Sequence, residues 1–440
     1  MAKSPALIAI YVALLAVPLG YLYNTYYPVV QRTITVFGIY RSPSAVSVAS
    51  AEDLVLIDGT IHCEDIHYYA PSHELYMACE DSPVTRFSWF PPLAEFNASV
   101  LSQSQGTLVV IDPDTKKARK LKLDNFYGPF VTHGIDVIAD PKAGAKKAVY
   151  IFAVNHLPNP DFWDESFVPR TTTTASSSSQ PAKTRSQIEI FRHEIGSATA
   201  RHIRSVRDPL IRTPNDILAL SPQRFLVTND HHYREGFMRE VEDINPFAAW
   251  TETVQVDLSD LLAASADQGI KTSVVVEGIH NNNGLGRGRT DTELLIASAA
   301  GGSLHFVEPS PAQADHSFQI VDKLLLDSTI DNPSYFKDPY ASATFDGSGY
   351  VLAGLSRAID LAKTHADPQA KEPVIVWYVK KVDDAWEKRI IFEDDGSTLR
   401  SASAAVLIAI DPAKEGGKRR AWLYVTGFIS SNVVAVKIDL

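Results

Sequence analysis

Short apolar runs separated by turn signals recur along nearly the whole chain after residue 45, and they constrain the fold more than any other feature. "GTLVVIDPDTKK", "KAVYIFAVNH", "QRFLVTND", "SGYVLAGL" and "PVIVWYVKK" each set Val, Ile, Leu, Tyr or Phe between Asp, Gly, Asn or Pro residues. Such runs read as short β-strands. Helical periodicity is brief, as around "DLSDLLAASADQ". Many short strands at even spacing predict a sandwich, barrel or propeller. Polar islands inside the apolar runs narrow the choice. Glu64 to His133 is a step of 69 residues and Asn215 to Asn283 one of 68; His133 to Asn215 is 82, and falls to 66 without the low-complexity stretch at 171–186. Roughly 400 residues divided at that interval give six repeats, within the range of four-stranded propeller blades. The predicted fold is all-β: a six-bladed β-propeller over 29–440, with 171–186 as a surface loop of no assigned function.

Residues 1–28 stand apart from that domain. From 6 to 23, "ALIAIYVALLAVPLGYLY" is 18 residues without a charge, behind Lys3 and ahead of Arg32. It is long enough to span a bilayer and ends in bulky residues, which favours a retained signal-anchor helix over a cleaved signal peptide. The expected location is the secretory pathway, membrane-anchored with a luminal or extracellular propeller, or secreted if the segment is cut. In that compartment Asn97, in "NAS", is a usable glycosylation site, whereas Asn332-Pro333-Ser334 is disqualified by its proline. Cys63 and Cys79 are the two cysteines; a bridge and two buried thiols are both open. The formal charge of -11 argues against a nucleic-acid partner and suits a cation binder.

The islands are Glu64-Asp65, His133, His156, Asn215-Asp216, Asn229-Asp230, Asn283 and Asp331-Asn332. One island per blade converges on the propeller axis. Glu, Asp and Asn oxygens without a set of thiolates select calcium over zinc or copper. Adjacent residues of extended backbone point opposite ways, so each doublet is divided between two stacked ions. Glu64, Asn215, Asn283, Asp331 and Asn332 form one set; Asp65 and Asp216 belong to the other. Taken singly, each of these residues is equally a turn residue. The doublets, the spacing and the nearby histidines together favour the metal.

In order along the chain, "EDI", "HGI", "VNH", "PNDI", "TNDHHY", "NGL" and "DNP" resemble the serum paraoxonase/arylesterase family of calcium-dependent six-bladed propellers. The resemblance implies that Glu64, Asn215, Asn283, Asp331 and Asn332 hold a catalytic calcium, and that Asp65, Asp216 and the carbonyl of Ile135 hold a structural one. It also implies that His133 and His156 form a catalytic dyad, with His133 as base. The implied reaction is hydrolysis of aryl esters or lactones, with lipid attachment through the N-terminal segment. The 171–186 insert, the "NNNGLGRGRTD" extension and the Cys63/Cys79 pair depart from the family pattern. No G-x-S-x-G elbow suggests a serine hydrolase. A non-catalytic, calcium-stabilised binding propeller is the alternative.

Overall fold

The computed structural model describes residues 5–44, 51–170, 180–310 and 317–440, with backbone alone for 5–19. Mid-sheet strands whose two faces are both covered read as unbroken apolar runs: all seven residues of Gly349–Leu355 are buried. Outermost strands keep a wet face, as Phe318–Leu325 does. The strands form meanders of four. Pro214–Ser221 is followed by Arg224–Asn229, Thr251–Leu258 and Ile270–Ile279, and the sheets beginning at Asn282 and Pro333 are built alike. Residues 66–206 form an eight-stranded sheet of two antiparallel meanders, joined edge to edge where Thr199–Arg201 runs parallel to Lys122–Asp124. In the last sheet Leu54–Ile57 pairs antiparallel with Val433–Val436, so the two ends of the β-region close on each other.

The strand facing the centre of each meander is labelled β1 (Ile66–Tyr69), β2 (Thr132–Ala139), β3 (Pro214–Ser221), β4 (Asn282–Arg287), β5 (Pro333–Phe336) and β6 (Ala402–Ile410). These strands neighbour one another in a cycle, β1 to β6 and back to β1. Each adjoining pair of meanders shares an apolar core: Met77 and Val109 meet Tyr424 and Ala435 at the closure, and Leu218 and Leu226 meet Leu285 and Ile296 on the far side. The arrangement is all-β and fits a propeller.

Cys63 and Cys79 form a disulfide that ties the segment before β1 to the neighbouring strand, which settles the pairing left open by the sequence. The expected helical stretch at 257–268 is a strand end followed by turns. The Arg204 guanidinium gathers the carbonyls of Asp260, Ser265 and Gln268, taking acceptors a helix would have needed. Two longer helices lie elsewhere. α1 (Pro5–Val36) runs past residue 28, where the anchor was expected to end, and α2 (Phe237–Ile244) follows the third meander's second strand. Among the described residues no helix is long and apolar enough to cross a membrane; the side chains of 5–19, which make up most of the expected anchor, lie outside the described residues. Of the 171–186 stretch, 171–179 lies outside them too. Its end is not a surface loop, because Thr184 and Ser186 are buried.

Candidate active site

The inner strands break their ladders at the residues singled out by sequence. Pairing is irregular between Thr132 and Ile135 on β2, between Pro214 and Ile217 on β3, and between Asn282 and Leu285 on β4. Bulges of this kind re-aim side chains. They release His133, the Asn215-Asp216 pair and Asn283. Two glycines let the strands meet: a Cβ on Gly134 would sit 2.5 Å from the Asn215 carbonyl oxygen, and one on Gly284 would sit 2.4 Å from Asn332 Cα.

Asn215, Asn283 and Asp331 line one cavity, and Asp331 and Asn332 lie beside Glu64. Asn332 Nδ2 donates to Glu64 Oε1 at 2.8 Å, which fixes the outlook of its amide oxygen. Thr426 and Ser403 hydroxyls hold the Glu64 carbonyl. Each of the five residues then keeps a buried oxygen without a hydrogen-bond partner: Glu64 Oε2, Asn215 Oδ1, Asn283 Oδ1, Asp331 Oδ1 and Asn332 Oδ1. Buried acceptors are ordinarily satisfied, and a converging set of acceptors alone fits a hard cation. Burial, followed by Asp331, Asp65 and Asp216, pushes the Glu64 carboxyl well above the usual range. Asp331 rises by burial and then by Asp65 and Asp230. Among the described residues no three His, Cys, Asp or Glu side chains are grouped to hold a metal; this set has two carboxylates and three amides.

Asp65 and Asp216 lie nearby, but their oxygens are engaged. Asp65 accepts the N–H groups of Ile66 and Ile135, and Asp216 those of Ile217 and Leu285.

His133 and His156 are paired, with His156 Nε2 3.0 Å from His133 Nδ1 and His156 Nδ1 2.9 Å from Ser186 Oγ. Trp89 Nε1 donates to the His156 carbonyl, and the Phe90 ring meets both imidazoles edge-on. Burial lowers the His133 pKa to about 4, with Asp230 opposing and Arg86 assisting. Burial and then His133 hold His156 well below its ordinary value. Both rings are therefore neutral near pH 7, and one of them donates to the other across the pair.

A cavity of about 770 Å³ is bordered by His133 but not by His156. His133, Asn215, Asn283 and Asp331 lie at its polar end, and Phe90, Leu93, Ile244, Leu355, Ile359 and Phe428 are among its apolar walls. Another, of about 870 Å³, has Asp65, His67, Arg287 and Asn332 in its lining and is bordered by neither histidine of the pair. Sequence reasoning left Asp230 and His231 unassigned, although "TNDHHY" contains both. Asp230 lines the first cavity, and its carboxylate lies 2.9 Å from His231 Nδ1, whose Nε2 lies 2.7 Å from Asp243. Ser186 was hidden by the low-complexity run before it. Asn97 is exposed and caps the turn Ala98–Gln103 through the Ser99 N–H.

The arylesterase family model matches residues 161–409 of the chain. The chain belongs to the arylesterase family. Cattle serum paraoxonase/arylesterase 2 is 25% identical over 253 residues, which are 57% of this chain and 56% of that protein. Rabbit serum paraoxonase/lactonase 3 is 21% identical over 309 residues, 68% of this chain and 71% of that protein. The arylesterase-family chain thus spans about half the length of the first of these relatives. A Dyadobacter fermentans protein of solved structure is similar over 90% of this chain and 99% of its own, with a TM-score of 0.48 and 9% identity.

Proposed function

We propose that this chain is a calcium-dependent hydrolase of aryl esters and lactones, built on a propeller of six blades when the eight-stranded sheet is read as two. The observation that carries the reading is the set of five buried oxygens without a hydrogen-bond partner, three of them on residues that border the same cavity as His133. Glu64, Asn215, Asn283, Asp331 and Asn332 would hold the ion. When bound, calcium supplies Lewis acidity to a substrate carbonyl oxygen and stabilises charge there. The neutral His133 imidazole takes a proton from water in the cavity. His156, fixed by Ser186, orients that ring, and the Asp230 carboxylate favours the positive charge it acquires. The apolar walls accept the alkyl or aryl part of the substrate and thin the water around the reacting bond. A scaffold that merely binds has no need of a buried histidine pair with one ring bordering a cavity.

The same proposal places the chain in the secretory pathway, tethered by residues 6–23, with a glycan on Asn97. The function is tested by assaying purified protein on phenyl acetate and a panel of lactones. Turnover that falls with His133→Gln supports the reading; an inert protein, or one indifferent to that change, contradicts it.

A further inference from the structure

Three aspartates, Asp65 just before β1, Asp136 on β2 and Asp216 on β3, are used in one way. Asp65 accepts the N–H of Ile66 at 2.7 Å and that of Ile135, on β2, at 3.1 Å. Asp136 accepts the N–H of Val137 at 2.8 Å and that of Ala219, on β3, at 2.6 Å. Asp216 accepts the N–H of Ile217 at 2.7 Å and that of Leu285, on β4, at 2.6 Å. These inner strands are not paired with one another. Each carboxylate therefore crosses a boundary between meanders and satisfies a backbone donor that would otherwise be buried and unpaired. Asp136 belongs to neither expected ligand set, yet it is held just as Asp65 and Asp216 are.

Cations of the chain meet two of these carboxylates, Asp65 and Asp136. Arg287 places Nη1 and Nη2 at 2.8 and 2.7 Å from the two Asp136 oxygens and donates to the Ala219 carbonyl. The His67 ring spans two of the carboxylates, with Nε2 2.9 Å from Asp65 Oδ2 and Nδ1 3.5 Å from Asp136 Oδ1. The contrast with the level above is direct. No oxygen of Asp65, Asp136 or Asp216 lacks a partner, whereas each of Glu64, Asn215, Asn283, Asp331 and Asn332 has one that does. A calcium ion needs six to eight oxygens, and at this lower level the oxygens already face N–H groups.

We infer that this tunnel is built for one calcium ion, at the upper oxygen set, and that Asp65 and Asp216 are ties between inner strands rather than ligands of a second ion. The inference rests on reading the upper set as a calcium site, and it replaces the expected structural ion on Asp65, Asp216 and the Ile135 carbonyl. Arg287 supplies a permanent positive charge to Asp136 in the same layer.

Metal analysis of the purified full chain, equilibrated with calcium and then gel-filtered, separates the outcomes, with calorimetric titration of the stripped chain as the second reading. One tightly held calcium per chain is expected. Two overturn the inference and leave the calcium reading standing. None, with no calorimetric binding, removes the calcium reading and this inference with it. Asp216→Asn keeps an acceptor for the Leu285 N–H while removing the charge. Its calcium content should stay at one; a drop to zero would make Asp216 a ligand and overturn the inference.

Discussion

A buried, neutral imidazole beside a second imidazole accepts protons in a way no other side chain at that position does, so His133→Gln isolates its role. Turnover on an aryl ester should fall by about a hundredfold or more, the usual range for a lost general base, while calcium affinity and melting temperature stay near the parent's. Equal losses in all three would make His133 structural. The doublet at 215–216 gives a second contrast. Asn215→Ala removes an amide oxygen that has no hydrogen-bond partner and should cost calcium affinity and rate. Asp216→Ala strands the N–H groups of Ile217 and Leu285, at about 1–3 kcal/mol each, and should show in the melting curve. Indistinguishable variants would erase the distinction between the two levels. For His231, burial lowers the pKa, but Asp230 and Asp243 outweigh it and raise it. Stabilisation by this ring is then complete below its ordinary pKa of about 6.5 and is lost as pH rises through the raised value. His231→Gln should depress the melting temperature most at about pH 6, and the gap should narrow toward pH 9; a constant gap would mean the ring acts without its charge. The upper oxygen set was legible because acids and amides interrupted apolar runs. Asp136 was not, since a single Asp in "GIDV" reads as the wet face of an ordinary strand.

At the scale of elements, the end of α1 belongs to the domain it precedes. Arg32 donates to the carbonyls of Gly301, Gly302 and Leu326, Val36 is buried, and Phe37 lines the cavity that His133 borders. Deleting residues 1–25 should leave the melting temperature unchanged. Deleting 1–37 should cost about 2–4 kcal/mol, from one buried valine and charged hydrogen bonds, and should open the cavity, raising KM. Equal effects of the two deletions would assign the contacts to the first 25 residues. Composition marked the apolar half of α1 but gave no sign that its polar end docks on the sheets. α2 went unread because its charged residues, such as Arg239, Glu240 and Glu242, look solvated, yet Arg239 and Glu242 are buried and Arg239 Nη2 donates to the Pro92 carbonyl across the cavity mouth. The helix expected at 257–268 failed for the converse reason, because Arg204, a residue distant in sequence, claims its carbonyls.

At the scale of the whole molecule, closure is the organising fact. Leu54–Ile57 completes a sheet whose other strands lie at the far end of the chain, and apolar cores between adjoining meanders pass the packing round to that seam. The apolar runs were legible as strands, among them Thr107–Asp112, Ala148–Asn155 and Gly349–Leu355, because turn residues bound each of them. The same closure brings residues as distant as Glu64 and Asn332 within hydrogen-bond reach, and so creates an oxygen site that no local segment contains. The central claim is that this site holds calcium and that hydrolysis depends on it. Its most direct test is ester and lactone turnover by the purified chain before chelation, after chelation, and after return of calcium or zinc. The account predicts loss on chelation and recovery with calcium but not with zinc. Turnover that survives complete removal of calcium, or that zinc restores as well as calcium does, would contradict it.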